Sequence, residues 1–221
     1  MSITEVPPTT QRAPIPSSPL DRRIPVTRKR IDQVLIGLGA VITAVLLVAG
    51  GLLYWGNDFA EDYVTDELSA QNISFPPEEA LVEGGRQDLV GFAGLEVTTG
   101  EHAEAYASFI AGHIDDIADG MTYAQLGGPE RVARSAVNEA IANDAPASEI
   151  ATLEAEADAL TNQRDTIFRG EMLRGALLSA FAWSTIGRIA GLASVAAFTG
   201  AALMALLVAA GMFRIRKATR V

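Results

Sequence analysis

The sequence predicts an all-α membrane protein: two transmembrane helices with a mainly helical extracytoplasmic domain built on their extensions. Three observations predict it. Two uncharged apolar runs, residues 34–55 and 189–213, each have the length of a bilayer. Basic clusters flank both runs, whereas the segment between them is strongly acidic. Much of that segment also places its apolar residues at helical intervals.

Residues 1–33 form the first unit. Six of the ten prolines fall here (Pro7, Pro8, Pro14, Pro16, Pro19 and Pro25), with Ser, Thr and Gln between them. Proline fixes φ and lacks an amide donor, so this stretch reads as a disordered or polyproline-like tail. Its six Arg/Lys against three Asp/Glu give a net charge of +3. The basic residues nearest the first span suit anionic headgroups.

The first span, 34–55, has 22 residues and no charge. As a helix it covers ~33 Å, against a hydrocarbon core of ~30 Å. Its twelve Leu, Ile and Val residues favour insertion by about 4 to 7 kcal/mol. Tyr54 and Trp55 close it as an interfacial belt would. It is longer than the apolar core of a cleaved signal peptide and follows a 33-residue leader, so it reads as a signal anchor.

Residues 56–188 form the acidic domain. Seven Arg stand against 24 Asp/Glu, a net charge of −17. Phe59, Tyr63, Val64 and Leu68 continue the first helix outward, until Pro76 and Pro77 stop the pattern. Up to Gly100 the sequence reads as a long loop, with one helical turn at 78–83 and a small strand near 87–97. A capping box at Thr98 and Glu101 then opens a helix. Tyr106, Phe109, Ile110, His113, Ile114 and Ile117 form its apolar face, and Gly120 ends it. Thr122 and Gln125 make a second capping box. Gly127-Gly128-Pro129 is expected to break that helix and start another, to about Asn143. From Ala147 a helix with an apolar stripe (Ile150, Leu153, Ala157, Leu160) enters the second span. If unbroken to Phe213 it is ~100 Å long. Gly170, Gly175 and Gly187 are its candidate kinks.

The second span, 189–213, has 25 uncharged residues, with Arg188 just outside it. An arginine there snorkels to the headgroups. Residues 214–221 carry four Arg/Lys and no acid, a basic tail. Arg28 to Arg30 and Arg214 to Lys217 thus abut the two spans, which by the positive-inside rule places both termini in the cytoplasm of a cell membrane and 56–188 outside. Small residues at helical spacing mark a face on each span: Gly39, Ala40, Thr43 and Ala44, and Gly187, Gly191, Ala196 and Gly200. Such faces pack helix on helix, within one chain or between two.

The same residues limit the chemistry. Without cysteine there is no disulfide, thiolate metal site or thiol nucleophile. Acidity excludes nucleic acid as a partner, because phosphate binding needs a basic footprint. No nucleophile elbow, Walker loop or dinucleotide loop occurs, so no cofactor is assigned. His102 and His113 lie ~16 Å apart on one helix and cannot share a metal ion. His113 with Asp116 supplies two ligands with no third indicated. Arg164, Asp165, Arg169, Glu171 and Arg174 form a mixed-charge patch above the second span. It reads either as local ion pairing or as a docking surface.

Ala105-Tyr106-Ala107, His113, Asp119-Gly120 and Thr122-Tyr123-Ala124-Gln125-Leu126 carry a resemblance, together with the turn from Arg169 to Leu177. On these the chain resembles uncharacterised actinobacterial two-span membrane proteins over about residues 34–210. The resemblance implies a span, an acidic external segment and a second span. Some members are labelled aromatic ring-opening dioxygenase. That chemistry needs iron held by two histidines and a carboxylate, which these histidines cannot supply, so no catalytic residue carries over.

Three functions follow as expectations. The first is a non-enzymatic cell-envelope protein that docks or assembles through its external domain. Its partners would be the lipid bilayer and either another envelope membrane protein or itself. The second is a sensor signalling to the N-terminal tail. The third is a membrane-anchored metal-dependent enzyme. The candidate interaction or structural residues are Tyr106, His113, Asp116, Thr122, Tyr123, Gln125, Arg164, Asp165, Arg169, Arg174 and Arg188.

Overall fold

The computed structural model describes residues 28–218; the proline-rich tail expected over 1–33 lies mostly outside them, as do the last three residues. Five α-helices follow in chain order: α1 Arg28–Ser69, α2 Glu78–Glu83, α3 Gly100–Ala118, α4 Tyr123–Ala142 and α5 Ala147–Ala218. A 3-10 helix, Gln87–Phe92, sits between α2 and α3. The strand expected near 87–97 does not form. Only an isolated antiparallel bridge joins Ser74 to Glu96. Polar turn residues and Gly91 and Gly94 favour short helical turns there over an extended run.

α5 is one helix of 72 residues, about 110 Å long. Its inward positions recur at intervals of three and four from Ile150 to Gly211, the seam of an antiparallel coiled coil. The candidate kink glycines lie within continuous helix. Two of them are close-approach sites instead. A Cβ at Gly187 would stand 2.9 Å from the Ala60 Cβ, and one at Gly170 would stand 2.7 Å from Ile114 Cδ1.

α1 runs antiparallel to α5 along the apolar runs. Gly39 meets Val208, Gly50 meets the Phe198 ring, Gly191 meets Asn57 and Gly211 meets Ile36. Small residues therefore join the two apolar segments within one chain. The seam uses only part of each expected face: Gly39 is buried and Thr43 half-buried, while Ala40, Ala44 and Ala196 are exposed. Both helices are long and apolar enough to cross a membrane.

α3 and α4 pack in sequence along the remaining length of α5. Ala103, Ala107 and Leu177 join Val64, Leu68, Phe75 and Val97 in one core, and Ile114, Ala118, Leu126 and Ile167 form a second. The cap of α3 is Thr99, not Thr98. Its side chain accepts from the His102 amide at 3.2 Å, while the Thr98 amide donates to His102 Nδ1 at 3.4 Å. A histidine at the third helical position thus takes the role expected of Glu101.

Nor does Gly127-Gly128-Pro129 break α4, which runs through Pro129 without interruption. The residue before a proline is normally pushed from helical geometry by a clash involving its Cβ. Gly128 has none, which relieves that clash. Beyond α4, residues 143–146 turn the chain, and α4 and α5 form a two-helix tip.

Candidate functional site

Two polar clusters fix the domain's shape. The first joins α4 to α5. Arg164 donates from Nη1 to Glu130 Oε2 at 2.7 Å, and its guanidinium lies 4.2 Å over the Tyr123 ring. Thr161 donates to Glu130 Oε1 at 3.0 Å, and Arg134 donates to Thr161 at 2.7 Å. The Arg164 hydrogen bond, helped by that from Thr161, holds the Glu130 carboxyl below its ordinary range. The same pairing raises Arg164. The guanidinium also lies along Gly127, 3.5 Å from where a Cβ would stand, an ordinary contact distance. A charged, hydrogen-bonded pair on a ring face fixes both distance and rotation of the two helices.

The second cluster pins the 76–95 segment to α3. Arg86 makes a two-pronged pair with Asp88, at 3.0 and 2.8 Å. It also donates to the Ser108 carbonyl at 2.7 Å and to Ser108 Oγ at 2.9 Å. Its hydrogen bond to Asp88 raises the arginine and lowers the aspartate. Arg86 also lines a pocket of about 360 Å³ with Ala80, Gly84, Phe109, Gly112, His113, Asp115 and Asp116.

The expected site residues divide between these clusters and plainly structural places. His113 and Asp116 do meet in the pocket beside Arg86. His113 is exposed, however, which corrects its assignment to the apolar face. It sits on the edge of that face, where α3 shares a pocket with Ala80, Gly84 and Arg86 of the 76–95 segment. Among the described residues, no group of three or more His, Asp or Glu has the arrangement to hold a metal ion.

Tyr106 packs edge-on to Phe75 at 5.2 Å in the core, and burial pushes its phenol up. Thr122 and Gln125 form the expected capping box: the Thr122 amide donates to Gln125 Oε1 at 2.8 Å, and the Gln125 amide to Thr122 Oγ1 at 3.3 Å. Both groups satisfy free amides at the start of α4. Tyr123 joins the Arg164 cluster and also touches Phe168 at 5.6 Å.

The mixed-charge patch separates. Arg164 turns to α4, whereas Asp165 pairs with Arg169 at 3.5 Å and Glu171 with Arg174 at 3.1 Å along α5 itself. Arg188 is exposed beside the buried Gly187. Three further residues belong with these groups. Glu130 and Arg86 are the ionic centres of the clusters, and Gln163 ties α5 to the Ile117 carbonyl of α3 at 2.7 Å. Arg86 carried a signal, as the sole Arg or Lys among residues 56–130.

Compared with protein-family models, with curated proteins and with solved structures, the chain gives no match in any of the three.

Proposed function

We propose that the chain is a two-span membrane protein that acts without catalysis, docking a partner through an extracytoplasmic helical domain. The supporting observation is α5. One uninterrupted helix joins the apolar segment 189–213 to the α4–α5 tip. From Arg188 to Ala147 it extends about 60 Å. A rigid arm of that length sets the height at which a partner is met. The far part of the arm, residues 143–163, carries five acids and no base. All five (Asp144, Glu149, Glu154, Glu156 and Asp158) are exposed, so the partner that fits is basic.

A photoreactive residue at Glu156, tested in native membranes, decides this reading. A discrete heavier adduct is expected. Recovery of the monomer alone, from Glu156 and also from Val132 on α4, contradicts it.

The same helix favours a second reading, a sensor. A continuous arm carries rotation or tilt from the tip without a hinge, and its seam with α1 passes it to the helix that the N-terminal tail precedes. Removing residues 1–25 would then abolish the response to tip occupancy; an unchanged response rejects the sensor and leaves the docking reading in place.

A further inference from the structure

Between α3 and the 76–95 segment lies the pocket that Arg86 lines, and its volume of about 360 Å³ is within the range of small-molecule sites. Arg86 is mostly buried, with 18% of its side chain exposed. A guanidinium carries five N–H donors. Four of them are committed here, two to Asp88 and two to Ser108. The fifth, on Nη1, has no partner among the described residues. Arg86 and Gly112 both line the pocket, and Nη1 lies 3.3 Å from where a Gly112 Cβ would stand. That is closer than ordinary contact, so a side chain there would crowd the free donor. Glycine is unfavourable in mid-helix; at this position it keeps the space beside Nη1 open.

His113 and the two aspartates Asp115 and Asp116 line the same pocket, with Phe109 as an apolar wall. The histidine ring carries at least one N–H in either protonation state. All three polar residues are exposed, and among the described residues none of them forms an ion pair.

We infer that this pocket binds a zwitterionic α-amino acid with an apolar side chain. Its carboxylate accepts from Arg86 and His113, its ammonium lies against Asp115 and Asp116, and its side chain rests on Phe109. Charge selects this occupant. Asp88, at 2.8 Å, already balances Arg86, so a carboxylate alone would meet the uncompensated Asp115 and Asp116. An amine alone would leave the Arg86 and His113 donors without an acceptor. A zwitterion satisfies both ends with charge-assisted hydrogen bonds and brings no net charge. Spacing selects the α-amino class. Gly112, beside Nη1, and Asp116 are four residues apart, about 6 Å along the helix axis. Two charged groups on one carbon, each reaching a hydrogen-bond partner at about 3 Å, span a gap of that size. The inference goes beyond the docking reading and does not depend on it.

Isothermal titration calorimetry on the full-length protein in detergent tests it, with L-leucine as the probe. Isocaproate is leucine without the ammonium, and isoamylamine is leucine without the carboxylate. One saturable L-leucine site per chain is expected, with both analogues at least about tenfold weaker. The double exchange Asp115→Asn with Asp116→Asn, at exposed positions, is expected to weaken L-leucine by a similar factor. So is Gly112→Ala, which crowds Nη1. Glu156→Gln, on the tip, is expected to leave binding unchanged. Thermal unfolding of each variant establishes that it is folded. No saturable heat from L-leucine up to about 10 mM overturns the inference, and so does either analogue binding as tightly as L-leucine. Binding that survives the aspartate exchange or Gly112→Ala, or that is lost with Glu156→Gln, overturns it too. The docking reading stands apart from each of these outcomes, because its own test is the adduct at Glu156.

Discussion

Arg164 of α5 and Glu130 of α4 stand 2.7 Å apart, and the same guanidinium covers the Tyr123 ring. α4 otherwise rests on α5 through apolar burial that has no fixed direction: Leu126 shares a core with Ile167, and Ala140 and Ala157 are buried farther out. The Arg164–Glu130 pair, with Thr161 and Tyr123 around it, supplies the directional tie between the two helices of the tip.

Protonation of Glu130 should loosen α4. Its folded carboxyl lies below the ordinary glutamate range, because Arg164 and Thr161 both donate to it. A lowered folded value gives stability that is complete above the unfolded pKa and lost as pH falls through the folded one. Amide exchange in α4 is expected to accelerate over that acid window, relative to α3. Glu130→Gln should exchange faster at neutral pH and lose the acid dependence. An unchanged acid dependence in the variant would place its origin elsewhere.

Two glycines should respond to alanine in opposite directions. At Gly100, a Cβ would collide with the Ser184 side chain, a near neighbour on α5. Gly100→Ala is expected to cost about 1–3 kcal/mol of thermal stability, the usual range for overpacking. Gly175 has nothing within 4 Å of its Cβ position. Gly175→Ala should stabilise by up to about 1 kcal/mol through helix propensity. Thermal unfolding in detergent checks both signs.

Loss of the α4 cap should be local. Thr122→Ala removes the acceptor for the Gln125 amide and is expected to cost ~1 kcal/mol. Hydrogen exchange should quicken in the first turn of α4 and leave α3 unchanged.

The contact between the two long helices can be locked covalently. The Ala60 Cβ lies 2.9 Å from the Cβ position of Gly187, so the helices need to part by about 0.6 Å to reach the closest spacing that a disulfide bridges. The chain has no cysteine of its own. Ala60→Cys with Gly187→Cys should oxidise within one chain and run as a monomer on a non-reducing gel. A disulfide-linked dimer would mean that this seam joins two chains.

The long-range pattern was plain in the sequence wherever composition or periodicity acts over many residues. Uncharged runs of 22 and 25 residues defined the two apolar helices, and the stripe from Ile150 to Leu160 extended the second outward. The Thr122–Gln125 box was equally plain, because a cap needs only neighbours in sequence. What failed depended on tertiary space or on a single backbone angle. Thr98 and Thr99 offer the same hydroxyl, and the sequence alone does not distinguish them; in the fold Thr99 caps the helix and the next residue, Gly100, lies close against Ser184. Pro129 looked like a helix start, but Gly128 lets the helix pass through it. The Arg86 and Glu130 clusters each unite residues more than 20 apart in sequence. A patch of alternating charge on α5 gave no sign that Arg164 turns away from Asp165 and Arg169.

The central claim, that the acidic helical domain stands outside a membrane which both long helices cross, is tested most directly by thiol labelling of intact cells. Single cysteines are placed at Ser148, exposed on the tip, and at Ser18 in the N-terminal tail. A membrane-impermeant maleimide is expected to label the Ser148→Cys protein in intact cells, and the Ser18→Cys protein only after permeabilisation. Labelling of both in intact cells, of neither, or of Ser18→Cys alone would contradict the claim.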